Sequence, residues 1–292
     1  MRVHLVDGTY ELFRAHFSKR PSHTAPDGRD VKATVGLVAS MLALLDDPAE
    51  SVTHLAVAFD RPIESFRNEL FPGYKTSDGM DPALLAQLEL AEEAVAALGI
   101  TVWSMDRFEA DDALATGAAR LAEAVDQVRI LTPDKDLGQC VVADRVVQVD
   151  RVRNRCLDAS GVTERLGVPP ESVPDLLALV GDSADGIPGL RGFGAKSAAA
   201  LLGHYQHIEQ IPDDPTAWAV SIRGAARLAA TLAEGRDAVT LYKQLATVVR
   251  DVPLRESLAD LALRGVLRRP FADLCDRLGA GRLRERPSHF AD

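Results

Sequence analysis

The first half of the chain alternates short apolar runs with longer amphipathic stretches. Val3 to Val6, Leu55 to Phe59, Thr101 to Ser104, Val128 to Leu131 and Val146 to Val149 have the length and composition of buried strands. Between them, Val35 to Leu45, Pro82 to Leu98 and Ala110 to Ala124 repeat apolar residues at helical spacing. Strands alternating with helices predict βαβ units, hence an α/β fold with a central, mostly parallel sheet flanked by helices. From about Ser172 the pattern changes to helices joined by Gly and Pro turns, with no further strand. Two regions are expected, an α/β core over 1–171 and a helical region over 172–292. The sequence has no internal repeat and no low-complexity tract.

With 47% hydrophobic and 26% charged residues among 292, the chain can bury a large core, which excludes a disordered class. Its longest apolar stretch, Val35 to Leu45, includes Ser40 and falls far short of the ~20 residues that span a bilayer. Asp7 interrupts the N-terminal apolar run, so no secretory segment is expected there. Cys140, Cys156 and Cys275 stand far apart with no CxxC pair, against a disulfide framework or a structural zinc site. A cytoplasmic, reducing setting with no membrane partner follows as the expectation.

The net charge of -10 argues at first against a polyanionic partner. Its distribution reverses that. Val6 leads into Asp7, Phe59 into Asp60, Phe108 into Glu109-Ala110-Asp111-Asp112, and Leu131 into Thr132-Pro133-Asp134-Lys135-Asp136. Ligands of parallel α/β sheets bind beyond the carboxyl ends of the strands, so acids scattered in sequence can converge there. If the strand persists past Pro133, Asp134 and Asp136 project to one side. If a helix starts at Glu109, then Glu109 and Asp112 share a face, with Asp111 in the same turn.

One such acid would ordinarily cap the next helix. Three like charges in one turn need compensation, and a divalent cation supplies it. Oxygen ligands without His or Cys favour Mg²⁺ or Mn²⁺ over zinc. Asp182 and Asp185, in the Gly-rich turn from Gly181 to Gly189, complete a set of nine. Without those nine carboxylates the net charge would be -1, so the rest of the chain is nearly neutral. Two or three bound divalent ions would reverse the local field.

Only six basic residues are lysines, against 27 arginines, so each lysine is worth locating. Lys196 follows Gly192-Phe193-Gly194-Ala195 at the start of the apolar helix Ser197 to Leu202, where free N–H groups and the helix dipole suit a phosphate. Lys75 follows Tyr74 just beyond the Asp60 strand end. There Arg67, Tyr74 and Lys75 suggest a strand-binding surface, with Tyr74 stacking on a base, while Phe66, Leu70 and Phe71 read as core. The arginines of the last 30 residues read as a solvated helical face.

Together, LVDGTYELFR, AFDRPIESFRNELFPGYK, FEADDALAT, ILTPDKDL and LVGDSADGIPGLRGFGAKSAAALL resemble the structure-specific 5′ nuclease family. That family includes the 5′ nuclease domain of bacterial DNA polymerase I, phage 5′ exonucleases and flap endonucleases. The resemblance implies a PIN-like core followed by a helix-three-turn-helix DNA-binding region. It implies a metal-dependent 5′-3′ exonuclease and 5′-flap endonuclease acting in DNA replication and repair, on DNA with 5′ ends, flaps or nicks and on RNA primers.

The family's acids fall onto Asp7, Asp60, Glu109, Asp111, Asp112, Asp134, Asp136, Asp182 and Asp185. By resemblance, Asp7, Asp60, Glu109 and Asp111 surround a first ion and Asp136, Asp182 and Asp185 a second, with Asp112 and Asp134 between. Its phosphate contacts fall onto Arg14, Arg67, Lys75 and Lys196, and its Gly-x-Gly turn, here Gly192 and Gly194, holds a potassium ion. Lys75, Arg67, Asp112 and Asp134 are the expected catalytic group. There are two departures from the pattern: the segment 76–81 is acidic where the family is basic, and Gly186 stands where Asn is usual. No polymerase-like continuation follows, so a free-standing nuclease is expected. Leu5 argues against a phosphatase of the haloacid dehalogenase type, whose nucleophilic Asp would have to stand there. A non-catalytic DNA-binding module would have no reason to keep nine mutually repelling carboxylates.

Overall fold

The computed structural model describes residues 1–291. Its strands are β1 (Arg2–Asp7), β2 (His54–Asp60), β3 (Thr101–Met105), β4 (Gln127–Leu131), β5 (Val146–Asp150) and β6 (Arg155–Leu157). Its helices begin with α1 (Gly8–His16), α2 (Lys32–Leu45), α3 (Phe66–Leu70), α4 (Pro82–Leu85), α5 (Leu88–Ala97) and α6 (Ala110–Leu121). They continue with α7 (Ala159–Leu166), α8 (Val173–Val180), α9 (Ala195–Tyr205), α10 (Ala225–Glu234), α11 (Arg236–Ala246) and α12 (Arg268–Leu278). Packing divides the chain into two units. The first comprises Met1–Glu64, Ser77–Thr132 and the chain from Arg250 onward; the second comprises Ser65–Thr76 and Pro133–Val249.

In the first unit the strands run parallel in the order β3-β2-β1-β4. β1 from Val3 and β2 from Leu55 are buried at every position, as parallel strands covered on both faces require. The chain winds from β1 through β2 to β3, then returns to set β4 on the other side of β1. That reversal is a topological switch point, with Asp7 ending β1 and Thr132 following β4. α1 starts immediately, and Gly8 lets it: a Cβ there would lie 2.6 Å from the Phe59 ring.

The stretch predicted as one helix from Pro82 to Leu98 is two helices. The break places Gln87, whose side-chain oxygen accepts from Thr34 N at 3.1 Å and so satisfies a free donor in the first turn of α2. The stretch predicted to run to Ala124 ends at Leu121. At the C-terminus, α12 buries Phe271, Leu274, Cys275 and Leu278 and exposes its arginines, as expected of a solvated face. Arg277 pairs with Glu93 at 2.7 Å.

The second unit packs α8, α9, α10 and α11 around Leu176, Leu177, Leu201, Leu202, Leu228 and Val239. β5 and β6 form an antiparallel pair. Periodicity gave no sign of β6, because Arg155 and Cys156 are exposed and carry no alternation. Cys140 and Cys275 are buried and Cys156 is exposed. Among the described residues no helix is long and apolar enough to cross a membrane.

Candidate active-site residues

In the first unit the acids at the strand ends are held by backbone donors. Asp7 caps α1, accepting from Tyr10 N at 2.8 Å, and its other oxygen accepts from the Thr132 hydroxyl at 3.0 Å. Asp60 Oδ1 accepts from Ala110 N at 2.7 Å, which ties the end of β2 to the first turn of α6. Glu109 is the N-cap of α6, and Asp112 Oδ2 accepts the Glu109 N–H at 3.0 Å. Asp112 is fully buried and Asp111 half-buried. Asp112, expected as a catalytic acid, forms half of a capping box with Glu109.

The second unit treats its acids differently. The strand conformation does not persist past Pro133. Asp134 caps a 3₁₀ turn over Lys135–Cys140 and accepts from Asp136 N at 3.0 Å, so Asp134 is exposed while Asp136 is buried. Gln139 secures that turn, donating to the carbonyls of Asp136 and Ala246 at 2.9 Å each. Asp182 stands at the end of α8, where its backbone pairs with Ile187, and its Oδ1 accepts from Ala184 N at 3.0 Å. One carboxylate oxygen each from Asp136, Asp182 and Asp185 lie within 4.8 Å of one another. Asp136 Oδ1 is buried with no hydrogen-bond donor. Burial, with Asp134 and Asp185 nearby, pushes the Asp136 carboxyl well above the usual carboxylate range.

Two ammonium groups touch this trio. Lys75 Nζ lies 3.4 Å from Asp185 Oδ1, and Lys135 bonds Asp182 and lies 3.5 Å from Asp136 Oδ1. Burial opposes the charge on Lys135, but Asp136 and Asp182 outweigh it and hold the ammonium above its ordinary range. The motif reading passed over Lys135; the signal for it was the scarcity of lysine in an arginine-rich chain. Lys75 is placed by its backbone: its N–H donates to Asp185 O at 3.0 Å, and its carbonyl accepts from Asn68 Nδ2 at 3.0 Å. Gly186 permits that approach. Its φ is +73°, and a Cβ there would meet Gly73 O at 2.1 Å, so Asn at this position would require the turn to move.

Arg67 and Tyr74, expected on a strand-binding surface, are buried. The Arg67 guanidinium donates to the carbonyls of Leu245 at 2.8 Å and Thr247 at 3.0 Å, and Tyr74 joins the apolar cluster of the second unit. Both support the segment that carries Lys75. Arg14 pairs with Glu11 and donates to the Ser40 hydroxyl at 3.0 Å, with about a third of its side chain exposed. Gly192 has φ +92°, Phe193 anchors the turn in the core, and Lys196 is exposed in the first turn of α9. The Gly194 N–H is taken by the Ser197 hydroxyl at 3.1 Å.

A mostly parallel sheet with acids at its strand ends, joined in sequence to a helical region with a Gly-x-Gly turn, defines the PIN-like class of nuclease folds. The chain belongs to the 5′-3′ exonuclease family: its N-terminal resolvase-like domain matches residues 2–167 and its C-terminal SAM fold residues 168–269. It is 38% identical to DNA polymerase I of Pseudomonas aeruginosa, over 86% of this chain and 27% of that protein. It is 33% identical to DNA polymerase I of Bacillus caldotenax, over 94% of this chain and 31% of that protein. The chain thus spans under a third of the length of these curated relatives. Bacteriophage T5 5′-exonuclease with bound divalent zinc superposes with a TM-score of 0.67 at 20% identity, covering 95% of this chain and 100% of that one. The catalytic core of Rad2 in complex with DNA substrate gives 0.59 at 16% identity, covering 98% and 90%. These two share the fold.

Proposed function

We propose that this chain hydrolyses DNA phosphodiester bonds as a divalent-metal-dependent 5′-3′ exonuclease and 5′-flap endonuclease, in replication and repair. The observation that carries the reading is Asp136 Oδ1, a buried carboxylate oxygen without a hydrogen-bond donor beside two further carboxylates. The Lys135 ammonium faces it at 3.5 Å without a hydrogen bond, so that oxygen's desolvation is only partly offset and a coordinating cation would offset it further. An all-oxygen set fits Mg²⁺ or Mn²⁺. Asp136, Asp182 and Asp185 would hold one ion, and Asp7, Asp60, Glu109 and Asp111 another; bound there, such ions would supply an activated water and neutralisation of the leaving 3′ oxygen.

The remaining roles belong to the chain. Asp112 and Asp134 orient Glu109 and Asp136 through the hydrogen bonds they accept. Lys75 stabilises charge developing on the scissile phosphate. Lys196 and the turn at Gly192 and Gly194, with a potassium ion, grip the duplex backbone without reading sequence, and Arg14 adds a phosphate contact. Cleavage of the P–O3′ bond leaves a 5′ phosphate on one product and a 3′ hydroxyl on the other.

The test uses labelled 5′-flap, nicked and blunt duplexes, and an RNA-primed duplex, with Mg²⁺ or Mn²⁺. Short released products ending in a 3′ hydroxyl, with a 5′ phosphate left on the retained strand, are expected, and both should vanish in EDTA. Undiminished cleavage in excess EDTA overturns the reading.

A further inference from the structure

Lys135 contacts the same carboxylates that the proposed function assigns to a divalent ion. Its ammonium bonds Asp182 Oδ2 and lies 3.5 Å from Asp136 Oδ1, the buried oxygen without a hydrogen-bond donor. Lys75 faces the third carboxylate, Asp185. A divalent ion held by these carboxylates would share their oxygens with the ammonium, and two cations so placed repel strongly in a partly buried setting. An ammonium in contact with both Asp136 and Asp182 would have to leave if those carboxylates held a divalent ion.

The residue type suits a counter-ion that must let go. An ammonium is a compact charge on a flexible four-carbon stem, whereas a guanidinium fork engages a carboxylate bidentately and is harder to displace. Lysine is also the unusual choice in a chain with 27 arginines. The Lys135 side chain is 38% exposed, so it has solvent to move into, while Asp136 and Asp182 are under 10% exposed and stay behind.

We propose that Lys135 is a tethered counter-ion: it holds Asp136 and Asp182 together in the metal-free protein and is displaced when a divalent ion binds. It is a positioning residue that sets metal affinity. The inference rests on the metal site of the proposed function. The apparent affinity equals the intrinsic affinity reduced by the fraction of molecules whose lysine has moved away. Removing the ammonium should therefore tighten metal binding, whereas a residue with a merely structural role would weaken it when removed.

The experiment is Mn²⁺ titration calorimetry on the full chain, following the binding class that Asp182→Asn abolishes, with thermal melts in EDTA alongside. Lys135→Met and Lys135→Gln should bind Mn²⁺ about ten-fold more tightly, the scale of one charge-assisted contact. Both should melt a few degrees lower in EDTA, because three carboxylates lose a counter-charge, and recover with Mn²⁺. Lys135→Arg should bind no more tightly than the wild type. Equal or weaker binding in the Met and Gln variants, with normal wild-type binding, overturns the counter-ion role and leaves the metal site standing. No Mn²⁺ binding by any form overturns both.

Discussion

The two units hold their acids by different means. In the first, Asp7, Asp60 and Asp112 accept from backbone N–H groups at the starts of α1 and α6. These donors cannot leave, so they place the carboxylates rigidly and supply only partial positive charge. In the second, Asp136, Asp182 and Asp185 face the ammonium groups of Lys75 and Lys135, which carry full charge on flexible stems. Carboxylates at strand ends can thus be preorganised by the helix that follows, whereas the turn carboxylates here add mobile counter-charges to a backbone donor such as Ala184 N. The first arrangement fixes geometry, and the second leaves the counter-charge free to move.

The largest expected effect separates ligands from caps. Asp182→Asn should cut cleavage well beyond ~100-fold, while its melting temperature holds or rises because one repelling charge is gone. Asp112→Asn should lose about 10–100-fold, the scale of an outer partner, and should also lose stability as the capping box weakens. Single-turnover rates and thermal melts on the same preparations read both. Equal rate losses with equal stability changes would erase the distinction between the two groups of acids.

Arg67→Ala tests the support beneath Lys75. The truncation leaves the carbonyls of Leu245 and Thr247 unpaired in the core, at a cost of about 2–4 kcal/mol in urea unfolding. DNA affinity of the folded fraction should hold. A stable variant with weakened DNA binding would return Arg67 to the substrate surface.

The smallest effect lies in the first unit, where Ser77 donates to Glu64 from its hydroxyl and from its N–H, the latter at 2.7 Å. These bonds hold the Glu64 carboxyl below the usual range. A lowered folded value means stability present above the unfolded value of about 4.3 and lost as pH falls through the folded one. Glu64→Gln should cost under about 1 kcal/mol at pH 7, and the gap to wild type should close below pH ~4. A gap independent of pH would show that the carboxylate charge contributes nothing.

Much of the α/β order was legible because period and sign are local properties. β1 to β5 fall on the apolar runs, and Asp7 and Asp60 close their strands as predicted. Missed elements lacked that local signal. β6 has no apolar alternation, and the break at Gln87 exists for a bond to Thr34 on another helix.

The sequence by itself determined where the acids stand along the chain, which of them end strands, and that a glycine turn opens α9. Tertiary structure decided what each does. Arg67 is a base in a motif until a carbonyl 178 residues away buries it, and Lys135 is one of six lysines until Asp182 closes on it. Periodicity and charge are carried by neighbours in the chain, whereas burial and charge pairing are settled by groups that only folding brings together.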